Sequence, residues 1–115
     1  MKYRPEKVSS LLKEVISEII MHELNDPIFK KFISITDVKM KGDLKRAIVY
    51  FRTFEEEPEV IEKALNKAKG FIKKRVAEKI ILKYMPDIEF KIDNTVEEEK
   101  RLEELFAKIH KKESL

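Results

Sequence analysis

The chain contains no cysteine. That absence excludes disulfides, thiolate metal sites and cysteine nucleophiles together. Glycine is almost missing as well, with 2 residues in 115. No Gly-rich loop is therefore available to cradle the phosphates of a nucleotide. No apolar run approaches the ~18 residues of a membrane span. The start "MKYRPEKVSS" lacks the apolar core of a signal peptide. The expectation is a soluble cytoplasmic protein. Histidine is scarce: His22 and His110 are far apart, and neither has a partner at metal-ligand spacing. The serines lack a nucleophile-elbow setting. Asp26, Asp37, Asp43, Asp87 and Asp93 fall at expected turns and strand ends, where turn chemistry accounts for them. No catalytic residue, metal or cofactor is expected.

What the chain has in abundance is charge. Lysine and arginine number 25 and the acids 22, a formal net charge of +3. A balance so even means that any basic function comes from how the charges are arranged. Acids gather from Glu55 to Glu62 and from Glu97 to Glu104. Bases gather from Lys2 to Lys13, at Lys30 and Lys31, from Lys39 to Arg46, and above all from Lys67 to Lys83. Such segregation is the footprint of an anion-binding face. Any one run, taken alone, also reads as a solvated helix face.

Hydrophobic spacing gives the order of elements. From Pro5 to Leu24, Val8, Leu11, Leu12, Val15, Ile16, Ile19 and Ile20 recur every three or four residues, which predicts a long amphipathic helix. "NDP" at Asn25 to Pro27 stops it. "FISITDVKM", Phe32 to Met40, predicts a strand, "KGDLK" a turn, and "RAIVYFRTF", Arg46 to Phe54, a central strand apolar on both faces. A helix opens near Pro58 with Val60, Ile61, Ala64, Leu65 and Ala68 inward. A second helical run follows Gly70 with Ile72, Val76, Ala77, Ile80 and Ile81, and ends before Pro86. "DIEFKID", Asp87 to Asp93, predicts a third strand. Thr95 opens a last charged helix, expected to turn Val96, Leu102, Leu105, Phe106 and Ile109 inward. The class is α+β, ordered α-β-β-α-α-β-α. The first strand is expected antiparallel to the second, and the third parallel to it through a helical crossover. No repeat, linker or domain boundary is visible, so residues 1–115 are read as a single domain.

The stretch "NKAKGFIKKRVAEKI", Asn66 to Ile80, concentrates the question of function. If Gly70 breaks the helix, a new one starts with Lys69, Lys73, Lys74 and Arg75 around its first turns. Bases are disfavoured there by the helix dipole, and phosphate is favoured. A glycine would also let a nucleic-acid backbone approach the main chain. If the helix runs through, the lysines are merely exposed.

A helix-glycine-helix unit between parallel strands resembles the core of a KH domain, and the preceding helix and strand resemble its type II variant. The whole chain is similar to the ribosome-binding factor A family. The carriers are "DP" at Asp26-Pro27, "ITDV" at Ile35 to Val38, "DLKRAIVY" at Asp43 to Tyr50, "AKGFIKK" at Ala68 to Lys74, and "MPDIEFKID" at Met85 to Asp93. Ala68, Lys69 and Gly70 match the Ala-x-Gly that replaces the Gly-x-x-Gly loop in that family. The resemblance implies a helix kink there, with Gly70 present for backbone geometry at the kink, where a positive φ is one way to require it, and the lysines present for RNA. It also implies a monomeric, non-catalytic factor that binds 16S rRNA on the free small ribosomal subunit (30S) during late assembly and 5′-end processing. Cold adaptation is a trait of some members, and assembly GTPases are partners that the resemblance leaves open. The expected RNA contacts are Lys69, Gly70, Lys73, Lys74, Arg75 and Lys79, with Lys2, Arg4, Lys7, Lys39, Lys41, Lys45 and Arg46 as an outer shell. Lys74, Arg75 and Lys79 are expected clear of the apolar arc. The alternatives are a protein-interaction or dimerisation module of the same fold, and a KH-like binder of other RNAs.

Overall fold

The computed structural model describes residues 4–113. Helix α1 spans Pro5–His22, with proline at its start, where the fixed φ suits the first turn and no N–H is lost. Its buried stripe is Val8, Leu12, Ile16, Ile19 and Ile20. A short 3-10 turn, Pro27–Lys30, follows, and the Asp26 carboxylate accepts a 3.0 Å hydrogen bond from the Ile28 N–H there.

Strands β1, Ser34–Lys41, and β2, Arg46–Arg52, form an antiparallel hairpin. Gly42, Asp43 and Leu44 all have positive φ, of 56°, 55° and 68°. Glycine takes that conformation freely, whereas a left-handed leucine costs roughly 1 kcal/mol. The register shifts between Ile35 and Asp37, leaving Thr36 as a bulge. Helices α2, Pro58–Lys67, and α3, Lys69–Lys79, lead to β3, Asp87–Ile92, which pairs parallel to β2. The sheet order β1-β2-β3 puts β2 in the centre, as its double-sided apolarity requires.

Helices α1, α2 and α3 cover one face of the sheet. Ala47, Val49 and Phe51 of β2, with Ile88 and Phe90 of β3, meet Leu12 and Ile16 of α1, Ile61 and Leu65 of α2, and Ile72 and Val76 of α3 in one buried core. Burying each large side chain contributes roughly 1.5–3 kcal/mol. The free edge of β3 is closed by α2. Asn66 donates to the Phe90 carbonyl at 3.0 Å and accepts from the Phe90 N–H at 2.9 Å. Glu62 accepts from the Ile92 N–H at 2.9 Å. These side chains replace a fourth strand and leave no edge open to pairing there.

Two expectations are corrected. The last helix, α4, forms over Thr95–Glu113, but it does not turn its stripe inward. Val96, Leu102, Leu105, Phe106 and Ile109 are between 42% and 58% exposed, and no other element packs substantially against α4. Hydrophobic periodicity defines a face of a helix but not what covers it. The second correction concerns Gly70: the break lies within the Ala-x-Gly match but at its first residue, Ala68, with φ −86° and ψ −2°, and not at the glycine. Gly70 lies inside the first turn of α3 without a positive φ, and a Cβ there would meet nothing within 4 Å. Backbone geometry does not require it.

Candidate nucleic-acid interface

Helix α3 starts anew one residue after α2 ends, with no acid in its first turn and no side-chain cap. Its inner face is fixed by Ile72 and Val76, so the rest of the helix is committed by the 3.6-residue period. Gly70, Phe71, Lys74, Ala77 and Glu78 are exposed, and Lys67 and Lys69 flank the break. Phe71 is 47% exposed. Between Lys67 and Lys74 the break thus presents three exposed lysines, an exposed aromatic ring and an exposed glycine. Lys67 and Lys74 have no side-chain partner among the described residues. An exposed aromatic offers stacking to a base, and the lysines offer charge to its backbone. Phe71 was not legible as a contact from spacing, although lying outside the Ile72–Val76 stripe was its signal.

The other basic residues of α3 are differently placed. Arg75 does not project freely. Its guanidinium is half-buried and grips Glu23, the residue that ends α1, with Nε 2.6 Å from Oε1, while a second nitrogen lies 2.6 Å from Glu78. Lys79 reaches the other oxygen of Glu23 at 3.2 Å. Burial pushes the Glu23 carboxyl up, but the hydrogen bonds and charges of Arg75 and Lys79 outweigh it and hold the group below its ordinary value. The Glu23 hydrogen bond in turn raises Arg75. Lys73 lies 3.2 Å from Asp87 at the start of β3, and its hydrogen bond and charge lower the Asp87 carboxyl, with a smaller contribution from Lys69. Lys73, Arg75 and Lys79 therefore tie α3 to its neighbours. Arg75 and Lys79 do lie off the buried Ile72–Val76 stripe, but both are engaged by Glu23, 52 and 56 positions away in sequence.

The outer shell separates into two further places. Lys39, Lys41 and Arg46 alternate with core residues of β1 and β2, so they lie on the sheet face opposite the helices. Lys39 Nζ sits 5.5 Å from the Tyr50 ring centre, and Arg46 pairs with Glu89 at 3.1 Å. Lys45 closes the hairpin turn through its N–H. Arg4 and Lys7 lie at the start of α1, with Lys7 about 24 Å along the helix from Glu23. Lys2 lies outside the described residues. No group of three or more potential metal ligands occurs among the described residues. No helix there is long and apolar enough to cross a membrane.

The family model described as ribosome-binding factor A matches residues 4–106. Ribosome-binding factor A of Protochlamydia amoebophila is 37% identical over 110 residues, which cover 94% of this chain and 84% of that protein. The crystal structure of ribosome-binding factor A from Thermus thermophilus superposes with a TM-score of 0.68 at 23% identity, covering 78% of this chain and 97% of that one. A homology model of the Thermus thermophilus factor, fitted into the cryo-EM map of its complex with the 30S subunit, gives a TM-score of 0.62 at 26% identity and covers 75% and 91%. With a model match across most of its length and relatives at this identity, the chain belongs to the ribosome-binding factor A family.

Proposed function

We propose that this chain is a single KH-like domain that binds the 30S subunit through 16S rRNA. It acts there without catalysis, as a cytoplasmic monomer, in late subunit assembly and 5′-end processing. The observation that carries the reading is the surface at the α2–α3 break, where Lys67, Lys69 and Lys74 surround Gly70 and Phe71. Lys67 and Lys74, which have no carboxylate partner among the described residues, are the ones readiest to displace counterions from phosphate, and Lys69 feels Asp87 only through its charge. The family's name describes binding rather than a reaction. The complex of the Thermus thermophilus factor with the 30S subunit supplies the class of target. Lys73, Arg75 and Lys79 define the flank of this surface, and the outward side chains of the sheet are secondary.

The test is cosedimentation with free small subunits. Changing Lys67, Lys69 and Lys74 together to Glu is expected to abolish association and leave the melting temperature near that of the wild type. For the unaltered protein, log affinity is expected to fall linearly with log salt. A folded triple variant that still cosediments would remove this surface from the reading.

A further inference from the structure

On the far end of α2 from the lysines lies a surface of opposite character. Phe32, which precedes β1, and Phe54, which follows β2, stack with ring centres 4.8 Å apart and planes 10° from parallel. The pair is on the outside: Phe32 is 54% and Phe54 82% exposed. Phe54 forms one wall of a groove whose apolar floor is Ile28 and Ile61, with half-exposed Val60 beside it. Its rim carries Glu55, Glu56 and Glu57. The one base in that rim is Lys31, whose Nζ lies 3.5 Å from Glu55. The side chains of Glu56 and Glu57 have no partner among the described residues.

We propose that this groove docks a lysine- and arginine-rich peptide segment of a partner protein. Charge and shape select that occupant. Three carboxylates repel nucleic acid and anionic lipid, whereas a cation is drawn to them and to the face of an exposed aromatic ring. Long basic side chains carry apolar stems that lie on a floor of isoleucine and valine while the charged head stays at the rim. Lys31 already shows the arrangement within the chain: its ammonium sits at the rim against Glu55. An incoming cation takes Glu56 and Glu57, which that lysine leaves unused. The groove is formed by the ends of α2 and β2 and owes nothing to the lysine surface, so it stands independently of RNA binding.

Fluorescence anisotropy of a labelled polyarginine peptide with the full chain at low salt tests the proposal. Saturable binding is expected. Phe54→Ala, and separately Glu56→Gln with Glu57→Gln, are each expected to weaken it by about tenfold, the scale of losing an anchor residue. Neutralising Glu97, Glu98 and Glu99, an equally acidic run without an aromatic wall, is expected to change it by no more than about twofold. No saturable binding overturns the proposal. Equal losses from the two acidic runs with no effect of Phe54→Ala also overturn it, since attraction would then be unspecific. Sedimentation equilibrium covers the remaining occupant: a wild-type dimer that Phe54→Ala converts to a monomer would assign the groove to a second copy of the chain and end the proposal.

Discussion

The two glycines carry different physics. Gly42 sits at φ 56° in the hairpin turn, where a side chain is strained whatever the space around it. Gly70 has neither a positive φ nor a neighbour that a methyl group would strike. In a helix interior glycine is the poorer choice by about 1 kcal/mol relative to alanine. Gly70→Ala is therefore expected to stabilise the fold by up to about 1 kcal/mol, measured by denaturant unfolding. What remains to explain Gly70 is close approach of a partner to the main chain beside Lys69 and Phe71. The same variant should then bind small subunits more weakly while melting higher. A variant that is more stable and binds as well as the wild type would leave Gly70 without a role at this surface. Of the two causes the sequence offered for this residue, backbone geometry and close approach of nucleic acid, the first is overturned. The scarcity of glycine was visible, whereas the backbone angles of Gly70 depend on where the helix breaks. That break falls at Ala68, a residue with high helix propensity, so propensity pointed away from it.

At the scale of elements, the ends of all three strands and the start of α4 converge on Asp93. Its carboxylate accepts hydrogen bonds from the Thr36 hydroxyl at the bulge of β1 and, at 2.9 Å, from the Thr95 N–H that begins α4. The Arg52 guanidinium, at the end of β2, lies 3.8 Å away. Burial would raise the Asp93 carboxyl, but those hydrogen bonds and that charge lower it to about 2. An unfolded aspartate titrates near ~3.9. The folded value is the lower one, so the stabilisation is complete above the unfolded value and is lost as pH falls through the folded value. Its size is on the order of 2 kcal/mol. The unfolding free energy of the wild type is thus expected to exceed that of Asp93→Asn at neutral pH, with the gap closing between about pH 5 and pH 2. A gap that does not change with pH would remove the ionised carboxylate from the account. Most of these elements were legible in advance, because α1 carries a helical period and β2 a short β-branched and aromatic run bounded by turn signals. The packing of α4 was not. Its spacing of Leu102, Leu105, Phe106 and Ile109 is as regular as that of α1, yet the sheet and three helices fill the core without it. Nor was the Asp93 junction, since it joins residues 57 positions apart.

The whole molecule is elongated, 62 × 36 × 17 Å. Counting bases in the sequence overstates what α3 can offer a phosphate, because Glu23 holds Arg75 and Lys79, and Asp87 holds Lys73. The two cations on Glu23 thus have competing uses: against that carboxylate they clamp α1 to α3, and against RNA they would neutralise phosphate. Glu23→Gln separates the two. It removes the carboxylate, so a lower melting temperature is expected, most clearly at low ionic strength where surface charges are least screened. It also releases Lys79 next to the lysine surface and leaves Arg75 held by Glu78 alone. If the bound RNA runs along α3 past Lys74, affinity for small subunits rises at low salt, and the slope of log affinity against log salt steepens by up to about 2, roughly one for each cation that newly meets a phosphate. Both changes are read from one salt series of cosedimentation on wild type and variant. A destabilised variant with unchanged affinity and slope would confine Arg75 and Lys79 to holding the fold together, and would end the RNA path at Lys74.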